Sequence, residues 1–180
     1  HINKNLSKGI SVKDVTDDFC VFGLFGPKSR LLMEDLCNED FSNENFKFAT
    51  SKYIKINEIK IWVQRLSYVG ELGYELYVEK SDARKIYEII TQKGRNFNLS
   101  NCGMHALDIM RMECGFLHWG HDISPEENQY QAGLEFTISK KKETNFVGKD
   151  ALMRIKDNKI DRKFTMFILK DSKPGKPLLL

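Results

Sequence analysis

The sequence predicts an α+β fold, an antiparallel sheet carrying helices on one face, with the start of a β-rich C-terminal domain behind it. Three observations carry this expectation. Apolar runs and apolar/polar alternation mark strands at 19–25, 52–56, 59–66 and 73–79. Apolar residues at helical spacing mark helices at about 28–36 and 81–94. The order strand, helix, three strands, helix suits an antiparallel sheet better than repeated βαβ units.

Each element has a local reason. Phe19 to Phe25 is a continuous apolar strand, closed by Gly26-Pro27. Proline tolerates a first helical position because its missing N–H has no partner there anyway, and the helix running to Leu36 carries Leu31, Leu32, Asp35 and Leu36 as a partly amphipathic face. Lys52 to Ile56 and Ile59 to Leu66 alternate, with Asn57-Glu58 as a tight hairpin turn. Gly73 to Glu79 is the next strand. Ser81 then caps a helix that sets Ala83, Ile86, Tyr87 and Ile90 on one side and ends near Gly94. Gly103 to Cys114 is apolar nearly all round and is expected to be a buried helix. From about Asp161 the segment KFTMFILK reads as a strand opening a second domain, so the expected domains are 1–160 and 161–180.

Bulk properties set looser bounds. The chain has 180 residues, 41% hydrophobic and 11% aromatic, which is enough for a real core. A net charge of +3 does not argue for nucleic acid, and Lys140 to Lys142 read as a solvated turn. Cys20, Cys37, Cys102 and Cys114 show no CxxC or metal spacing, which fits reduced thiols in a cytoplasmic protein. No apolar run approaches a membrane span and no signal peptide is read, so no membrane partner is expected. An opening at His1 and an apolar close at Leu178 to Leu180 read as a piece of a longer protein.

Two segments carry chemistry. RLSYVGELGYELYV, Arg65 to Val78, sets Tyr68, Glu71, Tyr74 and Glu75 around Gly70 and Gly73. A carboxylate accepting N–H bonds beside a phenol ring suits a heterocycle with an N–C–NH pattern, such as a pteridine or a purine. RMECGFLHWGHDI, Arg111 to Ile123, places an arginine in an apolar helix, where its guanidinium needs either an anionic ligand or a carboxylate such as Asp108 or Glu113. Trp119 and His121 either line a cleft or simply pack. His118 and His121 lack a third ligand at a sensible distance, so no metal is expected.

Together with GPKSRLLMEDL, ALDIMRMECGFLHWGHDISPEENQYQAGLEF and NFVGKDAL, these motifs make almost the whole chain resemble the aminomethyltransferase family. That family includes the glycine cleavage T-protein and the folate-binding domains of dimethylglycine and sarcosine dehydrogenases. The HWGHD version is more similar to the dehydrogenase-linked branch. The resemblance implies a fold with ferredoxin-like elements and a C-terminal β-barrel domain. It also implies tetrahydrofolate as cofactor and transfer of a one-carbon unit to it from a methylated amine or aminomethyl donor. FAD in a separate domain of the parent chain is implied by the dehydrogenase branch. A lipoylated H-protein partner belongs to the alternative, a stand-alone T-protein. An inactive folate-binding or assembly fragment is the remaining alternative.

Carried over by resemblance, the family's Y-x-G-E-x-G-[FY]-E motif falls on Tyr68, Gly70, Glu71, Gly73, Tyr74 and Glu75, which hold the pteridine. Its R-[LM]-E signature falls on Arg111 and Glu113, near the folate cleft, and Trp119 is counted as a further contact. The chain departs from the T-protein pattern at Phe116, in place of a tyrosine, and at Leu107, in place of a basic residue. The aspartate that assists proton transfer in the family belongs to a segment upstream of this match. Asp17 and Asp18 occupy a different place in the pattern, so the catalytic residue is unknown.

Overall fold

The structure is a computed structural model that describes residues 2–139, 144–157 and 160–168. It divides into two compact units, His1–Phe116 and Leu117–Leu180. In the first unit β1 (Phe19–Phe25), β2 (Ser51–Ile56), β3 (Ile59–Gln64) and β4 (Gly73–Glu79) form one sheet in the order β1-β4-β3-β2, every pair antiparallel. This is the predicted α+β architecture, and the Phe19–Phe25 and Gly73–Glu79 bounds are those read from the sequence. Asn57 and Glu58 take positive φ, 45° and 64°, as a two-residue hairpin turn requires.

One sheet face is the core. Ile54, Ile56, Ile61, Val63, Tyr74, Leu76 and Val78 point into it and pack against α1 (Ser29–Cys37) and α2 (Ala83–Gly94), which contribute Leu32, Met33, Leu36, Ile86 and Ile90. Leu31 was expected on the packed face of α1 but is 53% exposed, because Met33 takes the inward position. At the far end of α1, Asn38 adopts the left-handed conformation and donates its N–H to Glu34. Asp82, not Ser81, holds the N-cap position of α2, and its side chain makes no capping bond. Gly94 closes α2 under Leu99, whose side chain fills the space a Cβ would need.

The opposite sheet face is not covered by helices. Val21, Tyr77, Trp62 and Tyr53 stand in one cross-strand row there, with the Trp62 and Tyr77 rings 4.6 Å apart. The N-terminal segment and this face border a cavity of about 810 Å³ lined by Val12, Val15, Phe19, Val21, Trp62 and Tyr77 among others.

Two expectations are corrected. Helix α3 (Met104–Glu113) is not a buried helix: only Arg111 is buried, while Met104, Ile109 and Met112 are more than half exposed. Apolar composition states what a helix can bury, whereas the neighbours decide what it does bury. No strand forms over residues 163–168, where Phe167 and Ile168 are exposed and Phe164 donates its N–H to the Gln131 carbonyl at 2.8 Å. A strand needs a ladder partner, and none is described. Lys140 to Lys142, Leu169, Lys170 and the apolar terminus lie outside the described residues.

The second unit contains the turn at 118–123, a short 3₁₀ turn at Glu135–Thr137 and α4 (Lys149–Asp157), with Ile123, Tyr130 and Ala132 buried. Asn128 and Gln131 hold its central turn through a side-chain bond of 2.9 Å. Among the described residues no helix is long and apolar enough to cross a membrane.

Candidate functional site

Residues 65–72 join β3 to β4 as an irregular loop that is fixed at several points. Its last carbonyl, on Leu72, accepts the Gly26 N–H at 2.8 Å and the Ser29 hydroxyl at 3.1 Å, tying the loop to the start of α1. Val69 is buried, and its N–H reaches the Ser67 hydroxyl at 3.3 Å. Gly70 has φ +75°, and a Cβ there would run into Cys114 Sγ at the end of α3. Glycine is therefore required twice, for the conformation and for the close approach.

Tyr68 stacks on Phe116 with centroids 6.2 Å apart and planes 14° from parallel. Phe116 is in turn held by Arg111, which is 3% exposed and donates from Nη1 to the Phe116 carbonyl at 3.1 Å. Arg111 Nε meets Asp108 Oδ1 at 3.2 Å. The buried guanidinium thus takes the in-helix carboxylate that the sequence offered as one of its alternatives. Glu113 is exposed.

Glu71 is exposed at the tip of the loop, and no hydrogen bond or ion pair is described for it among the described residues. Its carboxylate lone pairs are open to a ligand. Glu75 lies on the uncovered sheet face, where it accepts the Tyr77 hydroxyl at 2.9 Å. Burial, with that carboxylate beside it, pushes the Tyr77 hydroxyl above its ordinary value.

Tyr74 is placed differently from the sequence expectation. It is fully buried, edge-on to Phe41 at 5.3 Å and stacked on Phe46 at 5.9 Å. Alternation along a strand sends residues 74 and 75 to opposite faces, so two neighbours in the motif cannot line one cleft. Tyr74 is a core residue with no ring face available for stacking. The structure therefore brings Tyr68 and Arg111 together on Phe116, leaves Glu71 exposed in the same loop as Tyr68, and sends Tyr74 and Glu75 to opposite faces of the sheet.

Trp119 belongs to the second unit. It is 63% exposed and bridges to Ile123. The neighbouring His118 and His121 rings stack at 5.8 Å, and Asp122 accepts the His118 N–H at 2.8 Å and pairs with His121 at 3.1 Å. These contacts make a closed turn. Among the described residues no cluster of three or more His, Cys, Asp or Glu side chains has metal-ligand geometry. Cys114 was not singled out as a neighbour of the loop, because the signal is tertiary and a glycine at position 70 does not name its partner.

Residues 1–142 match the family model described as the GCVT N-terminal domain. The chain belongs to this family. Among curated proteins it is 38% identical over 167 residues to the 4-methylaminobutanoate oxidase (formaldehyde-forming) of Paenarthrobacter nicotinovorans, covering 93% of this chain and 20% of that protein. It is 34% identical to the mitochondrial dimethylglycine dehydrogenase of Homo sapiens, covering 89% of this chain and 18% of that protein. Against the aminomethyltransferase of Alkaliphilus metalliredigens it is 30% identical, covering 94% of this chain and 46% of that protein. The chain thus spans about a fifth of the oxidase and dehydrogenase lengths. The solved glycine cleavage aminomethyltransferase T of Bartonella henselae superposes with a TM-score of 0.66 over 77% of this chain and 37% of its own, at 23% identity, and shows the fold. GCVT relatives are thus enzymes, both aminomethyltransferases and amine dehydrogenases.

Proposed function

We propose that this GCVT domain is the tetrahydrofolate-binding part of a one-carbon transferase belonging to a dimethylglycine or sarcosine dehydrogenase-like protein. The observation that carries the reading is the fixed loop, which presents Glu71 to solvent beside a Tyr68 ring braced by Phe116. The donor set fits a pteridine: a carboxylate for its N–H groups and a flat phenol for its ring face. Tetrahydrofolate, when bound, supplies the nitrogen that accepts the one-carbon unit. In this reading Glu71 orients the ring and Tyr68 stacks on it. Arg111 positions Phe116 from behind. Glu75 is proposed as a further contact, and Tyr74 supports the strand from the core.

The higher identity to the oxidase and the dehydrogenase than to the aminomethyltransferase favours a methylated amine as donor and a FAD domain elsewhere in the parent chain. A stand-alone aminomethyltransferase using a lipoylated H-protein is the second reading, supported by the 94% coverage of this chain against the Alkaliphilus enzyme. Cytoplasmic residence is proposed with the main reading. The four cysteines are free thiols, as in a reducing compartment.

Calorimetric titration of tetrahydrofolate into the 180-residue chain tests the reading. Saturable binding is expected, and Glu71→Gln is expected to weaken it by about 1–3 kcal/mol, the usual cost of a lost charge-assisted bond. No heat with the wild-type chain would show that these residues do not form the pteridine wall. Unchanged affinity in Glu71→Gln would move the role to Glu75.

A further inference from the structure

Where the 65–72 loop leaves β3, two arginines meet without an acidic partner. Arg30 on α1 and Arg65 at the end of β3 both donate from Nη2 to one atom, Asn43 Oδ1, at 2.8 and 2.7 Å. Arg65 also donates from Nη1 to the Phe46 carbonyl. Neither guanidinium has a carboxylate within ion-pair distance among the described residues. Glu34 accepts the Phe41 N–H at 3.3 Å, Glu39 pairs with Lys52 at 3.0 Å and Asp40 accepts the Ser42 N–H at 2.6 Å, while Glu44, next to Asn43, is exposed and makes no ion pair with either arginine among the described residues.

The inner side of this pair is short of acceptors. The Nε atoms of Arg30 and Arg65 are buried without hydrogen-bond partners, and so is the hydroxyl of fully buried Tyr74. Arg30 lies beside that hydroxyl and favours its ionised form without hydrogen-bond geometry, while burial is the larger effect and pushes it up. Three buried groups able to donate thus lack partners on side chains that lie near one another, and the two positive charges among them share one neutral amide oxygen. Buried donors are normally satisfied, and guanidinium forks select planar or tetrahedral oxyanions. Asn43 is exposed, so its amide can swing away and admit an anion from solvent.

We propose that Arg30 and Arg65 form an oxyanion-binding site, gated by the Asn43 amide, for a carboxylate or phosphate group. It uses neither Tyr68 nor Glu71 and does not depend on the folate reading.

The test is thermal unfolding of the full chain in inorganic phosphate, acetate and chloride at matched ionic strength, with Asn43→Asp as the diagnostic variant. At about ten times its Kd a bound anion raises Tm by roughly 3–6 °C over chloride. A shift in phosphate alone or acetate alone assigns the ligand to that class, and a shift in both assigns the shared oxyanion. Asn43→Asp places a carboxylate between the guanidiniums, so it is expected to raise Tm in chloride and remove the phosphate and acetate increments. Because this variant adds a partner rather than removing one, it does not depend on a damaged fold. The Arg30 and Arg65 Nε–H NMR resonances are expected to move with the anion in the wild type. Equal Tm in all three salts would overturn the proposal and leave water as the partner of these groups. An anion increment that survives in Asn43→Asp would overturn it equally.

Discussion

Gly70→Ala tests how the Tyr68 loop is held. Two costs follow from the geometry. A residue with a Cβ at φ +75° sits in a region that costs L-residues about 1–2 kcal/mol. The new methyl also meets Cys114 Sγ, which must leave its rotamer at a further cost of about 0.5–1.5 kcal/mol. The sum is about 1.5–3.5 kcal/mol, a large share of a domain's stability. Urea unfolding followed by circular dichroism measures it, and Cys114→Ala separates the two parts. In that background the collision disappears and only the conformational cost remains, so the double-mutant cycle is expected to show a coupling of about 1 kcal/mol. The same loss is expected to weaken tetrahydrofolate, because Tyr68 and Glu71 flank the strained position. A Gly70→Ala chain as stable as the wild type would refute the close-approach argument. An additive cycle would refute the role of Cys114.

Three further outcomes follow from other contacts. Asp108→Ala, which takes a carboxylate from a buried guanidinium that keeps the Phe116 carbonyl, is expected to cost more than Arg111→Met, which removes the buried charge; Asp108 is 40% exposed, so the difference in urea stability is about 1–2 kcal/mol rather than the full buried-pair value. Gly94→Val is expected to loosen α2 by about 1–3 kcal/mol, since Leu99 must shift to make room, and Leu99→Ala in the same chain is expected to restore part of the loss in Tm. The Glu127 carboxyl lies below the ordinary glutamate range because the Ser124 hydroxyl and N–H, both at 2.8 Å, hold its ionised form, with Arg162 adding to the effect. A depressed folded value stabilises the turn above the ordinary pKa, and the contribution is lost as pH falls through the lowered one. An NMR titration is expected to show the low midpoint, and Ser124→Ala to raise it.

Strand positions were readable because alternation and glycine punctuation are local, and β1 and β4 begin and end where those signals place them. The faces were readable in principle too. Tyr74 and Glu75 adjoin in a strand, so they had to diverge, yet the motif drew them to one ligand. Helix α3 misled for the opposite reason: its apolar residues are real, but burial is conferred by neighbours that composition does not name. The Arg111 partner was offered correctly as one alternative, since Asp108 lies one turn away on the same helix. Arg30 and Arg65 lie far apart in the sequence, and nothing local announces that they meet on Asn43.

The aromatic row on the uncovered sheet face has a spectroscopic use. The chain has two tryptophans, and they fall in different compact units, Trp62 on β3 and Trp119 in the turn at 118–123. Trp62→Phe and Trp119→Phe therefore give two reporters with separate addresses. If emission from each melts at its own temperature, the units unfold independently and a single stability value does not describe the chain. Coincident curves would mean that the boundary at Phe116 divides the packing without dividing the cooperativity.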